Sequence, residues 1–173
     1  MAGGIFVPLE RNAALARIIE IAEDTDAVLY VSKKPIEGWA FMNIDEACNY
    51  ATACNIDDVE FPAGSDVAEI LFSTGTTGKS KGIVLTHSND VAIAENVING
   101  VKMKADNVEM IPMPTSHSHG LRRSYANLVN GSSVVYISKI TLLKKLFNMM
   151  REYGVTSIDL SPSMLSIIFK QIG

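Results

Sequence analysis

The chain has 173 residues, of which 47% are hydrophobic and 20% charged. That balance is globular, and the length can bury a core without disulfides or metals. It excludes a disordered chain, a collagen-like repeat and a cysteine-stapled fold. The net charge of −4 hides an asymmetry: residues 1–66 hold 12 acids and 4 bases, and residues 67–173 hold 7 acids and 11 bases. The mild basic excess of the second part suits a phosphate-bearing small ligand. It lacks the concentrated basic face of a nucleic-acid binder.

No stretch approaches the roughly 20 apolar residues that cross a bilayer. Met1 to Pro8 has no basic flank and no long apolar core, so it does not read as a secretory signal. Cys48 and Cys54 match no common zinc or redox spacing. They read as reduced thiols explained by packing, in an intracellular, cytoplasmic protein.

In chain order, Ile5–Leu9 is a short strand with Pro8 near its end. Residues 12–23 form a helix with Leu15, Ile18, Ile19 and Ala22 on one face and Asn12 as its cap. Ala27–Val31 reads as a buried strand. Ala47, Tyr50, Ala51 and Cys54 make a second helical stripe, and residues 55–66 an acidic surface connection.

A second segment begins at Val67. Strands are expected at Ile70–Ser73 and Gly82–His87, with a Gly-, Thr- and Lys-rich loop between them. A helix follows over 89–103, then a strand at Val108–Ile111, ended by Pro112 and Pro114. Residues 115–119 read as a polar loop. A helix follows at Leu121–Asn130, closed by Gly131, then a strand at Val134–Ile137. Thr141 caps a helix carrying Leu143, Leu146, Phe147 and Met150 on one face, ended by Gly154. A strand at 155–160 follows, and Ser161-Pro162 opens the last helix. Strands alternating with helices predict an α/β fold, with a largely parallel sheet and helices on both faces. Two segments result: 1–66, an N-terminal α/β part, and 67–173, which carries the loop.

That loop, Ser73-Thr74-Gly75-Thr76-Thr77-Gly78-Lys79-Ser80-Lys81-Gly82, is the informative stretch. Its glycines let the backbone turn sharply and approach a ligand. Its hydroxyls, exposed N–H groups and two lysines make an anion site suited to polyphosphate. A plain soluble turn needs neither three threonines nor two lysines. Gly78-Lys79-Ser80 also matches the end of the nucleoside-triphosphatase P-loop. That motif's first glycine would fall on Ser73, and it needs a helix after the lysine. The β-favouring Ile83-Val84-Leu85-Thr86 ranks this phosphohydrolase reading lower.

Ser73 to Gly82 resembles the phosphate-binding signature of the AMP-forming adenylating enzymes. These are the acyl- and aryl-CoA synthetases, the luciferases and the adenylation domains of peptide synthetases. Ser80 stands where the family usually has proline. Pro114-Thr115-Ser116-His117-Ser118-His119-Gly120 is similar to the family's Pro-x-x-His-x-x-Gly segment, which lines the acyl and adenylate pocket. Gly3 to Leu9, Leu128 to Tyr136, Tyr153 to Thr156 and Ser161 to Leu165 resemble other family passages.

The resemblance implies part of the large N-terminal domain of an ATP-dependent acid–thiol ligase. Such an enzyme activates a carboxylic acid as acyl-adenylate with ATP and magnesium, then passes it to coenzyme A. Fatty acid metabolism is the implied setting. Thr74, Gly75, Thr76, Thr77, Gly78, Lys79 and Lys81 would bind the nucleotide phosphates, and His117 and Gly120 the acid. His117, without the peptide-synthetase aspartate, favours the acyl-CoA branch. The family's Tyr-Gly-x-Thr-Glu segment, ribose-binding aspartate and catalytic lysine have no counterpart here. A fragment is therefore expected, inactive in isolation and open to homo-oligomerisation through uncovered apolar surface. A non-catalytic piece that only folds or binds polyphosphate is the rival reading.

His119, His87, Arg122, Arg123 and Trp39 read as packing or solvated residues. Asp57, Asp58 and Glu60 read as surface charges, and no metal ligands are expected.

Overall fold

The computed structural model describes residues 3–53, 60–73, 81–137 and 143–172. The chain divides into two compact units, Met1–Gly3 with Arg11–Phe61, and Gly4–Glu10 with Pro62–Gly173.

In the first unit, helix α1 spans Leu15–Asp24. Its N-cap is Ala14, with no side-chain cap bond, so Asn12 does not serve. The inward residue is Ile21, whereas Leu15 is exposed, so the buried face is turned from the expected stripe. Strand β1, Tyr30–Ser32, pairs in parallel with β2, Phe41–Asn43. The expected buried strand at 27–31 is thus short and displaced, and Val28 is 87% exposed. A continuous apolar run reports only that a residue type tolerates burial. Helix α2, Ile44–Ala53, starts where Asn43 Oδ1 accepts the Asp45 N–H at 2.8 Å. Asp45 and Glu46 in its first turn complement the helix dipole. Cys48 is exposed rather than packed, and Cys54 lies outside the described residues.

The second unit opens with an antiparallel hairpin of β3, Val67–Phe72, and β4, Gly82–Thr86, with Ile70 opposite Val84 and Phe72 opposite Gly82. The expected strand at 5–9 reduces to one parallel bridge between Phe6 and Glu69. Helix α3 spans His87–Val101. Thr86 and Asn89 close it with a reciprocal capping box, so His87 is a helical residue and not a strand end.

The main sheet has the order β6–β5–β7, all parallel, with β5 (Val108–Ile111) central, β6 at Ser133–Tyr136 and β7 at Ser157–Ile158. β7 is two residues long, against six expected. Helix α4, Ser118–Asn130, starts three residues earlier than expected and ends at Gly131, whose φ of +71° is the left-handed cap. Helix α5 spans Leu143–Glu152, and its expected cap Thr141 lies outside the described residues. Pro162 opens α6, Pro162–Ile172, where Ser161 Oγ accepts the Met164 N–H at 3.3 Å.

The side chains of β5 alternate across the sheet as a strand requires. Met110 packs with Leu146 of α5 and Ile168 of α6, among Val135, Leu143, Met150 and Ile158. Glu109, on the opposite side, bonds to Arg123 and Asn127 of α4. Helices therefore cover both faces, as the sequence implied. α3 lies against α4, and Arg122 of α4 donates to Asp90 of α3.

Candidate functional site

Thr74, Gly75, Thr76, Thr77, Gly78 and Lys79 lie outside the described residues. The strands flanking them do not. β3 leads in and β4 leads out, and the Ser73 N–H donates to the Lys81 carbonyl at 3.1 Å, closing the base of the loop. Lys81 is exposed at that base. A strand, not a helix, follows the lysines, which removes the requirement of the P-loop reading.

The hairpin forms one wall of a cleft of about 490 Å³. Leu71, Phe72, Ile83, Leu85 and Ile93 make its apolar lining, and Ser73, Ser116, His117, Ser118, His119 and Arg122 its polar one. The foot of the glycine loop and the histidine segment, some forty residues apart in sequence, thus share one cavity.

His117 is the N-cap of α4, with φ −111° and ψ 151°. Its carbonyl accepts the Leu121 N–H at 3.1 Å. Its Nε2 lies 3.2 Å from Glu10 Oε1, and about half of the ring is exposed. Gly120 is buried against the turn that precedes it. A Cβ there would lie 2.5 Å from the Pro114 carbonyl oxygen and 2.7 Å from that of Met113. Only glycine permits this approach, so the spacing from Pro114 to Gly120 has a packing cause.

The largest departure from expectation is at Arg122 and Arg123, read as a solvated helix start. Arg122 is buried and pairs with Glu69 and, at 2.6 Å, with Asp90 Oδ1. Tyr125 donates its hydroxyl to Glu69 Oε2 at 2.9 Å, and the Arg122 guanidinium lies 5.4 Å from the Tyr125 ring centre. Burial, then the Glu69 bond, pushes the Tyr125 hydroxyl well above its ordinary pKa. Burial, then the nearby Glu69 charge, raises Asp90, and Arg122 only partly offsets this.

Arg123 turns to the other side. It meets Glu109 Oε1 at 2.6 Å and Asp159 Oδ2 at 3.5 Å. Asn127 donates to Glu109 Oε2 at 2.6 Å. Asp159 Oδ2 also lies 2.5 Å from His119 Nε2. The signal available in the sequence was a glutamate inside each of two apolar strands, Val-Ala-Glu69-Ile-Leu and Val-Glu109-Met-Ile. A charge in such a run needs a buried partner, and the adjacent arginines of α4 supply it.

Among the described residues no three His, Cys, Asp or Glu side chains gather in a way that could hold a metal ion. A magnesium ion that arrives with ATP keeps its phosphate and water ligands and needs at most one or two protein groups. No helix among them is long and apolar enough to cross a membrane.

A sequence model of the AMP-binding enzyme family matches residues 1–173. The chain belongs to that family. It is 30% identical to 4-coumarate–CoA ligase-like 6 of Arabidopsis thaliana over 61% of its own length and 20% of the relative's. It is also 30% identical to the hybrid PKS-NRPS synthetase prlS of a fungal species, over 97% of this chain and 4% of that one. Among solved structures, O-succinylbenzoate coenzyme A synthetase of Bacillus subtilis in complex with AMP superposes with a TM-score of 0.78 at 18% identity. That match covers 94% of this chain and 44% of the synthetase. VinN in complex with L-aspartate superposes equally, with a TM-score of 0.78 at 19% identity over 95% of this chain and 48% of that chain. These solved structures show the fold. The chain spans about a fifth of the plant relative and less than half of either solved chain.

Proposed function

We propose that this chain is part of an ATP-dependent, AMP-forming ligase that activates a carboxylic acid as its acyl-adenylate and delivers the acyl group to coenzyme A. The carrying observation is that Ser73, at the foot of the glycine loop, and His117 line one cleft. The acid's carboxylate attacks the α-phosphorus of ATP, the bond to pyrophosphate breaks, and an acyl–phosphate anhydride forms. Negative charge then concentrates on the departing pyrophosphate. Donors already fixed around that charge lower the barrier, because they need no reorganisation as it develops. Thr74, Thr76, Thr77 and Lys81 are assigned to that task, with the backbone of Gly75 and Gly78 and the charge of Lys79 beside them. The apolar wall of the cleft receives the acid's carbon skeleton, with His117 at its polar edge. Magnesium, when bound with ATP, would screen the phosphate charge. Coenzyme A is favoured as the thiol because the histidine segment resembles the acyl-CoA branch, and CoA ligases recur among the curated relatives.

Calorimetry with ATP and with pyrophosphate tests the assignment. Binding is expected to be weak and to fall on Thr77→Ala and on Lys81→Ala. Unchanged binding in both variants would remove the loop from the site. Acid-dependent exchange of labelled pyrophosphate into ATP separates a catalytic chain from one that only binds polyphosphate.

A further inference from the structure

The sequence reads His119 as a packing or solvated residue. It lines the cleft, yet its Nε2 is taken by Asp159 Oδ2 at 2.5 Å. Asp159 follows β7, belongs to a different part of the unit, and is not among the residues lining the cleft. Its carboxylate is in turn 3.5 Å from Arg123 Nε, and Arg123 is held at 2.6 Å by Glu109, which has no exposed surface.

A chain of charged contacts therefore runs from the centre of the main sheet to the rim of the cleft: Glu109, Arg123, Asp159, His119. Three of its four members sit on different elements, β5, α4 and the segment after β7, so it ties the first turn of α4 to the sheet. A carboxylate can only accept. The ring nitrogen facing Asp159 thus carries a hydrogen. His117, two residues earlier, places its Nε2 3.2 Å from the exposed Glu10 carboxylate, a looser contact than the 2.5 Å one between His119 and Asp159.

We propose that Asp159 is a positioning residue for the acid-binding part of the cleft, acting through His119. The inference rests on the adenylate-forming reading given above. Removing Asp159 leaves the Arg123–Glu109 pair intact, so it strands no buried charge. It frees the His119 ring and loosens the wall that contacts the acid. None of the four residues in the chain of contacts sits on β3 or β4, the strands that flank the phosphate loop.

The test compares the 173-residue chain with its Asp159→Ala, His119→Ala and doubly substituted forms. Calorimetry is run with pyrophosphate and with a non-hydrolysable acyl-sulfamoyl adenosine. Loss of one charge-assisted bond predicts about tenfold weaker binding of the acyl analogue in Asp159→Ala. Pyrophosphate binding should not change. On the His119→Ala background, Asp159→Ala should add nothing, which is the mark of one residue acting through another. Asp159→Asn, which keeps an acceptor, should recover most of the affinity. A second readout needs no ligand: the hydrogen-bonded Nε2–H proton of His119 should be visible by NMR and vanish in Asp159→Ala.

Additive effects, equal losses for both ligands, unchanged acyl-analogue binding, or an NMR signal indifferent to Asp159 would each overturn the inference alone. A wild-type chain that binds neither ligand would overturn it together with the adenylate reading.

Discussion

The two faces of the β6–β5–β7 sheet are filled by opposite chemistry. On one, Met110 meets Leu146 and Ile168 in an apolar cluster. On the other, Glu109 meets Arg123 and Asn127 of α4. Helix α4 departs from an ordinary amphipathic helix. It buries Arg122, Ser124 and Asn127 beside Leu121 and Ala126, and leaves Leu128 75% and Val129 52% exposed. α5 behaves conventionally, with Leu146 inward. An apolar face is selected by volume and tolerates repacking. A polar face is selected by partners and geometry, since a half-satisfied buried network is worse than none. The candidate cleft is built on the polar side, at the N-terminus of α4. A site that must hold side chains in one position gains from that rigidity.

The sharpest way to break the contrast is to truncate each face. Arg122→Ala strands Glu69 and Asp90 and should cost about 3–5 kcal/mol in denaturant unfolding. Leu146→Ala removes only apolar contacts and should cost about 2–5 kcal/mol, depending on how far the cavity collapses. An Arg122→Ala cost under about 1 kcal/mol, the range of an exposed pair, would mean that the buried pairs are not fully desolvated.

Gly120→Ala comes next. Its Cβ would meet two backbone carbonyls that cannot step aside alone, so about 1–3 kcal/mol of overpacking is expected. A crystal structure of the variant should show the turn at Pro114–His117 displaced. An unmoved turn at full stability would show that the close approach is not needed.

Conservative exchanges sharpen the comparison further. Leu146→Met should cost under about 1.5 kcal/mol. Arg122→Lys should cost more, because one ammonium does not reproduce a guanidinium that spans Glu69 and Asp90. The reverse order would undo the distinction between the faces.

The smallest effect concerns Asp90. Its folded pKa is raised, by burial first and Glu69 second. The native state therefore binds this proton more tightly than the unfolded chain does. The resulting stability is complete below the ordinary value of 3.8 and is lost as pH rises through the raised value. Asp90→Asn cannot ionise. It should match or slightly exceed the parent at neutral pH, with the difference shrinking as pH falls below that range. Thermal unfolding across the acid range would show it, and a variant less stable at pH 7 would contradict the direction.

Much of the alternation of strands and helices was legible. β5 was found at its observed ends, and the glycine at the end of α4 and the proline at the start of α6 did what their backbone chemistry dictates. Local signals sufficed there because φ preferences and missing N–H groups act within a few residues. The first unit was read less well. Ala27–Val31 and Leu15 are apolar, and nothing local says which apolar residues find partners.

By itself the sequence determined the family, through a glycine-rich loop between two β-favouring runs and a histidine segment of fixed spacing. It also placed the two hairpin strands, and β5 and β6, to within a few residues, since these follow from short-range pattern. Only the tertiary structure decided that Arg122 and Arg123 are interior residues, that His119 is tied to Asp159, and that the loop's foot shares a cleft with His117. Those facts depend on residues from 14 to 53 positions apart. A charge inside an apolar strand announces that it needs a partner, but the chain does not say which one until the elements are packed.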